Sequence, residues 1–262
     1  MDILERIIAH KQIETEARKS KVSVKELEAS EHFNREVFSL KKSLANSNFG
    51  IIAEFKRRSP SKGLINGTAQ PADITQGYIS AGASAVSVLT DQEFFGGNMD
   101  DLKAVRKVLS SPILRKDFTI DEYHLLEAKS IGADAILLIA AALAPQQLKD
   151  LAKFAKNLGL EVLMEVHNIQ ELEECLNDYV DVVGINNRNL KTFEVSIETS
   201  IEVGKAIPDH YLKISESGIS NCESIFELQK HGFQGFLIGE NFMKNADPKA
   251  AAKSFFQELN GK

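Results

Sequence analysis

The stretch Gly132-Ala133-Asp134-Ala135-Ile136-Leu137-Leu138-Ile139 joins a glycine that can end a helix to a run of apolar, strand-forming residues. The same arrangement recurs at Gly82-Ala83-Ser84 and at Gly232-Phe233-Gln234, where a helical segment stops and an apolar run begins. The chain therefore repeats one unit, in which a helix passes through a glycine turn into a buried strand. A repeated unit of this kind predicts parallel strands joined by right-handed crossovers.

Eight short apolar runs follow this pattern from about residue 50 onward. Most of them are apolar throughout rather than alternating, which is typical of parallel strands covered by helices. The runs are 50–55, 85–89, 112–114 (leading into Arg115 and Lys116), 134–139, 160–166, 180–185, 211–214 and 235–238. Eight units predict an α/β fold that closes into a (βα)8 TIM barrel. The alternative, a doubly wound open sheet, more usually has about five or six strands.

Amphipathic segments lie between these runs, and the residues before the first run are also helical in pattern. The predicted helices are 71–81, 121–131, 145–158, 169–176, 196–207, 220–231 and 247–259. Ser220 is the expected N-cap of its helix, because Glu223 follows it in a capping-box arrangement. We expect a single domain, in which residues 1–47 form an N-terminal helical extension packed on a TIM barrel of residues 48–262.

Composition limits the possible functions. The chain has 262 residues, with 31 Lys and Arg against 37 Asp and Glu, so its net charge of −6 does not favour nucleic-acid binding. Cys175 and Cys222 stand far apart without metal-ligand spacing, so we expect reduced thiols and no metal. The N-terminal residues lack the apolar core of a signal peptide, and no apolar run approaches the length of a membrane span. We therefore expect a cytoplasmic protein without membrane or nucleic-acid partners.

Charged and polar side chains stand where the predicted strands end. TIM-barrel enzymes place their sites at these carboxyl ends. Each residue alone has a structural explanation: Lys116 could project into solvent, and Glu165 could form an ion pair that only stabilises the barrel. Together they would bring many charges to one face, which is expensive unless they pair or take part in chemistry. The candidates are Glu54, Lys56, Lys116, Glu165, Asn186, Glu216 and Ser217.

The last two strands predict a phosphate site. Gly218 and the pair Gly239-Glu240 lie where strands 7 and 8 lead into helical turns, and backbone N–H groups at such positions accept phosphate. Ser59 and Arg188 could add a hydroxyl and a guanidinium. After strand 2, Phe95 either packs inward in its loop or forms an aromatic wall with Phe118, and the sequence leaves both possibilities open.

Several of these motifs resemble those of the indole-3-glycerol phosphate synthase family, and the resemblance covers the whole predicted barrel. The most specific motif is Ile51-Ile-Ala-Glu-Phe-Lys-Arg-Arg-Ser-Pro-Ser-Lys-Gly63. The others are 87–91 with 94–97, 114–118 with 121–123, 132–139, 165–167, 184–190, 215–219 and 237–240.

The resemblance implies the reaction that turns 1-(2-carboxyphenylamino)-1-deoxyribulose 5-phosphate into indole-3-glycerol phosphate, carbon dioxide and water. It implies that Lys116 is the general acid and that Glu165 assists loss of water. It implies that Lys56 holds the anthranilate carboxylate, with a share in proton transfer left open. Glu54 would act as a base or stabilise the intermediate. It also implies that Asn186 and Glu216 orient the lysines and the substrate hydroxyls, and that Ser217 belongs to the same cluster. Phosphate would be bound by Ser59, Arg188, Gly218, Gly239 and Glu240, and the aromatic pocket would be lined by Phe95, Phe118 and Leu190.

This chemistry requires no cofactor, because losing carbon dioxide restores aromaticity without an electron sink. We expect a monomer that binds a small phosphorylated substrate. One alternative is a barrel like phosphoribosylanthranilate isomerase, but that family requires a cysteine at the end of strand 1 and an aspartate on strand 6, where this chain has 54–56 and Asn186. The other is a non-catalytic barrel that binds a phosphorylated ligand, which would be expected to lack Lys56, Lys116 or Glu165.

Overall fold

Eight parallel strands form a closed barrel in the computed structural model, which describes residues 2–189 and 192–261. Each strand pairs in parallel with its neighbours along the chain, and the last strand pairs with the first. The strands are β1 (Ile51–Phe55), β2 (Ala85–Leu89), β3 (Ile113–Lys116), β4 (Ala135–Ile139), β5 (Glu161–Val166), β6 (Val182–Asn186), β7 (Leu212–Glu216) and β8 (Gly235–Ile238). The predicted TIM barrel is confirmed.

The strands are buried on both faces, which explains their apolar sequences. One core lies inside the barrel and includes Ile52, Leu114 and Leu163, while a larger core lies between the strands and the surrounding helices. The glycine turns also behave as expected, because Gly82 and Gly132 adopt φ angles of 119° and 91°, in the left-handed region that favours glycine.

Helices surround the barrel and precede it. They are α1 (Ile3–Lys19), α2 (Val24–Glu28), α3 (Leu40–Ala45), α4 (Pro71–Ala81), α5 (Met99–Val108), α6 (Glu122–Ser130), α7 (Pro145–Asn157), α8 (Ile169–Cys175), α9 (Glu198–Gly204), α10 (Cys222–Lys230), α11 (Glu240–Met243) and α12 (Pro248–Gly261). The predicted N-cap Ser220 is wrong: Asn221 caps α10, because its side chain accepts a hydrogen bond from the N–H of Ser224. A short antiparallel pair, Arg58–Ser59 with Gly63–Leu64, lies in the loop after β1.

The N-terminal helices contact both ends of the barrel. Leu40 and Leu44 of α3 are fully buried in the interior core, where they join the first residues of several strands, so α3 closes the amino end. In contrast, Ile7 of α1 lines a cavity at the carboxyl end. No helix in the described residues is both long enough and apolar enough to cross a membrane.

Candidate active site

A cavity of about 490 Å³ opens at the carboxyl ends of the strands. Because parallel strands in a barrel all end at the same face, it collects side chains that are far apart in sequence. Of the fifteen predicted site residues, Leu190 lies outside the described residues. The others line this cavity, and they are Glu54, Lys56, Ser59, Phe95, Lys116, Phe118, Glu165, Asn186, Arg188, Glu216, Ser217, Gly218, Gly239 and Glu240.

Lys116, the last residue of β3, lies between two buried carboxylates. Its Nζ is 2.7 Å from Oε2 of Glu165 on β5 and 3.3 Å from Oε2 of Glu216 on β7. Burial alone would lower the pKa of Lys116, but the charges of Glu165, Glu216 and Glu54 outweigh it and raise that pKa. The lysine is therefore an ammonium group at neutral pH, held inside the barrel opening.

The two carboxylates, Glu165 and Glu216, differ in the number of hydrogen bonds that they accept. Glu165 accepts hydrogen bonds from Lys116 and from Nδ2 of Asn186, the latter at 3.0 Å. Burial raises its pKa, but Lys116 and His167 nearby outweigh burial and leave that pKa below its usual range. Asn186 is itself oriented, because its Oδ1 accepts a hydrogen bond from the N–H of Arg188 at 3.0 Å.

Glu216 is the less well satisfied carboxylate. Its Oε1 is buried without a hydrogen-bond partner among the described residues. This oxygen lies against Gly184 of β6, where a Cβ atom would approach it to 2.3 Å, so the absence of a side chain at Gly184 makes room for the carboxyl group. Burial, with the charges of Glu165 and Glu54, raises the pKa of Glu216 to about 7 in spite of Lys116. Glu216 is thus a buried carboxyl group that can hold or release a proton near neutral pH.

The second lysine forms its own pair on β1. Nζ of Lys56 is 2.7 Å from Oε1 of Glu54, and Lys56 remains partly exposed toward the cavity. Glu54 lies against Gly239, where a Cβ atom would come within 2.5 Å of Oε1 of Glu54. Gly239 therefore allows the Glu54 carboxylate to approach the end of β8.

The loops after β7 and β8 also line the cavity. Ser217 has a φ angle of 66°, an uncommon conformation for a residue with a side chain, and Gly218 follows at 76°. A Cβ atom at Gly218 would lie 2.2 Å from Cγ1 of Val195, so a larger residue would collide with the loop after β6. Nη2 of Arg188 is 3.8 Å from Oε2 of Glu240, which places the guanidinium beside the end of β8.

Aromatic rings form an apolar wall of the cavity. The ring centroids of Phe95 and Phe118 are 5.9 Å apart, with the planes tilted by 38°. Both rings line the cavity, so the possibility of an aromatic wall is the one that the geometry supports.

Sequence reasoning did not assign several residues that the structure brings to this region. Ile3, Leu4 and Ile7 of α1 cover part of the cavity. Lys11, one turn after Ile7, is fully buried and forms ion pairs of 2.9 Å with both Asp91 and Asp117. The signal for Lys11 was present, because it shares the buried face of the helix with Ile7 at a spacing of four residues.

His167 is also close to the site. Its Nε2 is 3.5 Å from Oε1 of Glu165, and the ring is mostly buried. In the part of the chain that the structure describes, no His, Cys, Asp and Glu side chains converge as a metal-binding group of three or more.

Comparison with known proteins gives one family. The family model described as Indole-3-glycerol phosphate synthase matches residues 4–255. A relative from Bacteroides thetaiotaomicron named indole-3-glycerol phosphate synthase is 47% identical over 258 residues, covering 98% of this chain and 99% of that relative. One of the same name from Polynucleobacter necessarius is 41% identical, covering 97% and 99%.

Solved structures of lower identity share the fold. A 3-hexulose-6-phosphate synthase aligns with a TM-score of 0.64 at 15% identity, over 80% of this chain and 99% of the other. The tryptophan synthase α subunit of Legionella pneumophila aligns with a TM-score of 0.63 at 14% identity, over 85% and 98%. At these identities the likeness concerns the barrel alone.

Proposed function

The chain belongs to the indole-3-glycerol phosphate synthase family, and on that premise we propose that Lys116 is the general acid that starts its reaction. The enzyme is a decarboxylating carbon–carbon lyase of tryptophan biosynthesis. It converts 1-(2-carboxyphenylamino)-1-deoxyribulose 5-phosphate to indole-3-glycerol phosphate, carbon dioxide and water. When the aromatic ring carbon attacks the substrate ketone, the ketone oxygen gains negative charge and requires a proton.

The observation that carries this assignment is the position of Lys116 between Glu165 and Glu216. The ammonium group is kept charged by these carboxylates, so it has a proton to give when the substrate oxygen becomes basic. A group with a fixed position also avoids reorganisation during the reaction, which is the main source of electrostatic catalysis.

Lys56 is assigned to the carboxylate of the anthranilate ring. It is the second cation of the cavity, and its pairing with Glu54 leaves it partly exposed toward the substrate. In this arrangement Glu54 serves as a base, or stabilises the positive charge that develops on the ring nitrogen after closure. Holding the leaving carboxylate next to an ammonium group fixes its orientation for loss of carbon dioxide, which restores aromaticity without a cofactor.

Glu165 is assigned to the final loss of water. Its Oε2 faces Lys116 at 2.7 Å, so a proton can pass between this pair and the departing hydroxyl group. Asn186 holds the other oxygen of Glu165, while Glu216 and Ser217 orient Lys116 and the substrate hydroxyls.

The phosphate is assigned to the far side of the cavity, at the ends of β7 and β8. Gly218, Gly239 and Glu240 line the cavity there and would offer their N–H groups, and Ser59 and Arg188, which line the same cavity, would add a hydroxyl and a guanidinium. The ring of the substrate would then lie against Phe95 and Phe118. Leu190 completes this pocket in the proposal.

Steady-state kinetics test the division of roles. With the carboxyphenylamino-deoxyribulose phosphate as substrate, we expect growth of indole fluorescence, and its absence would contradict the enzymatic function. Lys56→Met should raise KM more than it lowers kcat, because the lost contact is one made to the bound substrate. A fall in kcat with KM unchanged would instead assign Lys56 to proton transfer.

The physical form of the enzyme is a further part of the proposal. We infer a single domain of an extension (1–47) and a barrel (48–262), acting as a cytoplasmic monomer. Support comes from α1 and α3, which contact opposite ends of the barrel and so tie the extension to it. Light scattering after gel filtration should give the mass of one chain, 29.0 kDa. A concentration-dependent mass would contradict the monomer.

A further inference from the structure

His167 stands two residues after Glu165, and its imidazole lies between two carboxylates. Nε2 is 3.5 Å from Oε1 of Glu165, and Nδ1 is 3.1 Å from Oε2 of Glu171. Nε2 is buried and has no hydrogen-bond partner among the described residues. His167 is not among the described residues that line the cavity, so it can act on the reaction only through a neighbour.

The second carboxylate is held rigidly at the start of α8. Oε2 of Glu171 accepts a hydrogen bond from the N–H of His167 at 2.8 Å, and Oε1 accepts one from Nδ2 of Asn168 at 2.7 Å. The N–H of Glu171 donates to Oδ1 of Asn168 in return, at 2.9 Å. The histidine ring is therefore fixed from the Glu171 side.

This geometry decides how many protons the ring carries. A neutral imidazole has one N–H and one lone pair. If the N–H faces Glu171, the lone pair of Nε2 faces the Glu165 carboxylate, and the opposite tautomer turns a lone pair toward Glu171. Only the imidazolium turns an N–H toward each carboxylate, in a hydrogen bond with Glu171 and in a charge pair at 3.5 Å with Glu165.

We propose that His167 is a positioning residue, held as an imidazolium between Glu171 and Glu165, that fixes the orientation of Glu165 so that Oε2 faces Lys116. The proposal rests on the role assigned above to Glu165 in proton transfer. Along this line the charges alternate in sign from Glu171 through His167 and Glu165 to Lys116, so each group stabilises the charge of the next.

The surroundings of the ring favour its charged form. Burial lowers the pKa of His167, but the hydrogen bond to Glu171 and the charges of Glu165, Glu171 and Glu216 outweigh it and raise that pKa. These carboxylates come from β5, α8 and β7. The single turn Ala140–Ala142, which packs against α8, carries no ionisable side chain.

The protonation state can be measured directly on the unmodified enzyme. The chain has six histidines, and the His167 signals in a ¹⁵N spectrum of the imidazoles are assigned by their loss in His167→Gln. At about pH 7, above the usual histidine pKa of about 6.5, we expect both ring nitrogens of His167 to carry protons. A neutral tautomer at that pH would overturn the proposal, whatever the catalytic activity.

Kinetics then test whether this proton matters. Glu171→Gln removes the charge that holds the proton, so the His167 pKa should fall by about one pH unit. The alkaline limb of the kcat/KM profile should move to lower pH by the same amount. Substrate ionisations are common to both proteins, so the difference belongs to the enzyme. As a matched control, Glu227→Gln removes the partner of the partly exposed His231, 3.4 Å away, and should leave the profile unchanged.

His167→Gln should lower kcat by about tenfold with little change in KM, a smaller loss than removal of an acid–base group itself. An unchanged profile in Glu171→Gln together with normal kcat in His167→Gln would overturn the positioning role. These failures differ from failure of the proposed function, which would appear as full activity in Glu165→Gln while His167 remained an imidazolium.

Discussion

Lys116 and Asp117 are neighbours at the end of β3, yet their side chains enter two different charged clusters. Lys116 joins the mouth cluster, defined by Glu54, Lys56, Lys116, Glu165, Asn186 and Glu216. Asp117 joins the anchor cluster, defined by Lys11, Thr90, Asp91, Arg115, Asp117 and Glu127. Both clusters are largely buried, so the difference between them is one of hydrogen bonding rather than exposure.

In the anchor cluster each carboxylate oxygen of Asp117 has its donors. Oδ1 is 2.9 Å from Nζ of Lys11 and accepts a hydrogen bond from the N–H of Phe118. Oδ2 accepts a hydrogen bond from the hydroxyl of Thr90 and is 3.2 Å from Nη2 of Arg115. Burial would raise the pKa of Asp117, but the neighbouring cations outweigh it and hold that pKa well below its usual range. This cluster fixes α1 against the barrel.

Each cluster sets three carboxylates against two cations, but Glu216 of the mouth cluster retains an oxygen without a partner in the described structure. Burial of this unpaired oxygen favours the uptake of a proton by Glu216 near neutral pH, which is the property that acid–base chemistry requires. Comparison of the clusters therefore suggests that incomplete pairing marks the reactive side of β3, and complete pairing marks the structural side.

Lys116→Met gives the largest expected effect and tests the reactive side. It should lower kcat by about 10²–10⁴-fold, because the group that we propose as the general acid is lost. The far-ultraviolet circular dichroism spectrum should remain that of the parent, since no part of the anchor cluster is removed. A variant with kcat near that of the parent would show that Lys116 is not the acid.

Lys11→Met tests the structural side. Removal of the cation leaves Asp91 and Asp117 buried without their shared partner, so the free energy of unfolding should fall by about 3–5 kcal/mol. Urea unfolding measures this change. The matched control on the same helix is Lys19→Met, which breaks only partly exposed pairs with Glu16 and Asp121 and should cost at most about 1 kcal/mol. Equal losses in the two variants would remove the distinction between a buried anchor and a surface pair.

Asp117 of the anchor cluster and Glu216 of the mouth cluster should also make stability respond to pH in opposite directions. The pKa of Asp117 is depressed in the folded state, so its contribution is present above the unfolded value of about 4 and is lost in more acidic solution. The pKa of Glu216 is raised to about 7, so between about pH 4 and 7 the folded protein keeps a proton that the unfolded chain has lost. Stability due to Glu216 therefore falls as the pH rises through that window.

Glu216→Gln isolates this second response, because the amide has no proton to lose. Relative to the parent, the variant should gain about 1–3 kcal/mol in the free energy of unfolding between pH 5 and pH 8. Denaturant unfolding at both pH values measures the difference. A parallel pH dependence in parent and variant would mean that Glu216 ionises normally, and the mouth cluster would then resemble the anchor cluster.

The sequence predicted the barrel and the position of the site well, for a physical reason. Glycine turns and apolar runs are local signals, and parallel strands necessarily bring their carboxyl ends together, so Lys116, Glu165 and Glu216 could be placed on one face from their strands alone. The pairing of Lys11 with Asp117 could not be predicted. The two residues are about a hundred residues apart in sequence and meet only because α1 packs against the barrel. The difference in pKa between Glu165 and Glu216 could not be predicted either, because it depends on which hydrogen-bond donors lie near each carboxylate in the folded chain.

Ser59→Ala gives the smallest expected effect. It allows the hydroxyl of Ser59, at the cavity, to be compared with the hydroxyl of Thr90, in the anchor cluster. Ser59 is buried at the cavity wall, and its only described side-chain contact is Oγ of Ser61, at 3.4 Å, so its hydroxyl is available to a ligand. Loss of the hydrogen bond that we propose between Ser59 and the phosphate should raise KM by about tenfold and leave kcat nearly unchanged. The midpoint of thermal unfolding should not change measurably.

Thr90→Val is the matched control in the anchor cluster. Its hydroxyl donates to Oδ2 of Asp117 at 2.5 Å and accepts Nε of Arg115 at 3.0 Å, so both of its bonds are internal. The isosteric valine should lower the free energy of unfolding by about 1–3 kcal/mol, because charged partners lose a buried hydrogen bond. If Ser59→Ala instead lowered kcat alone, a phosphate role for Ser59 would be wrong. If it destabilised the fold as much as Thr90→Val, the hydroxyl would be structural, and incomplete pairing would no longer distinguish the two sides of β3.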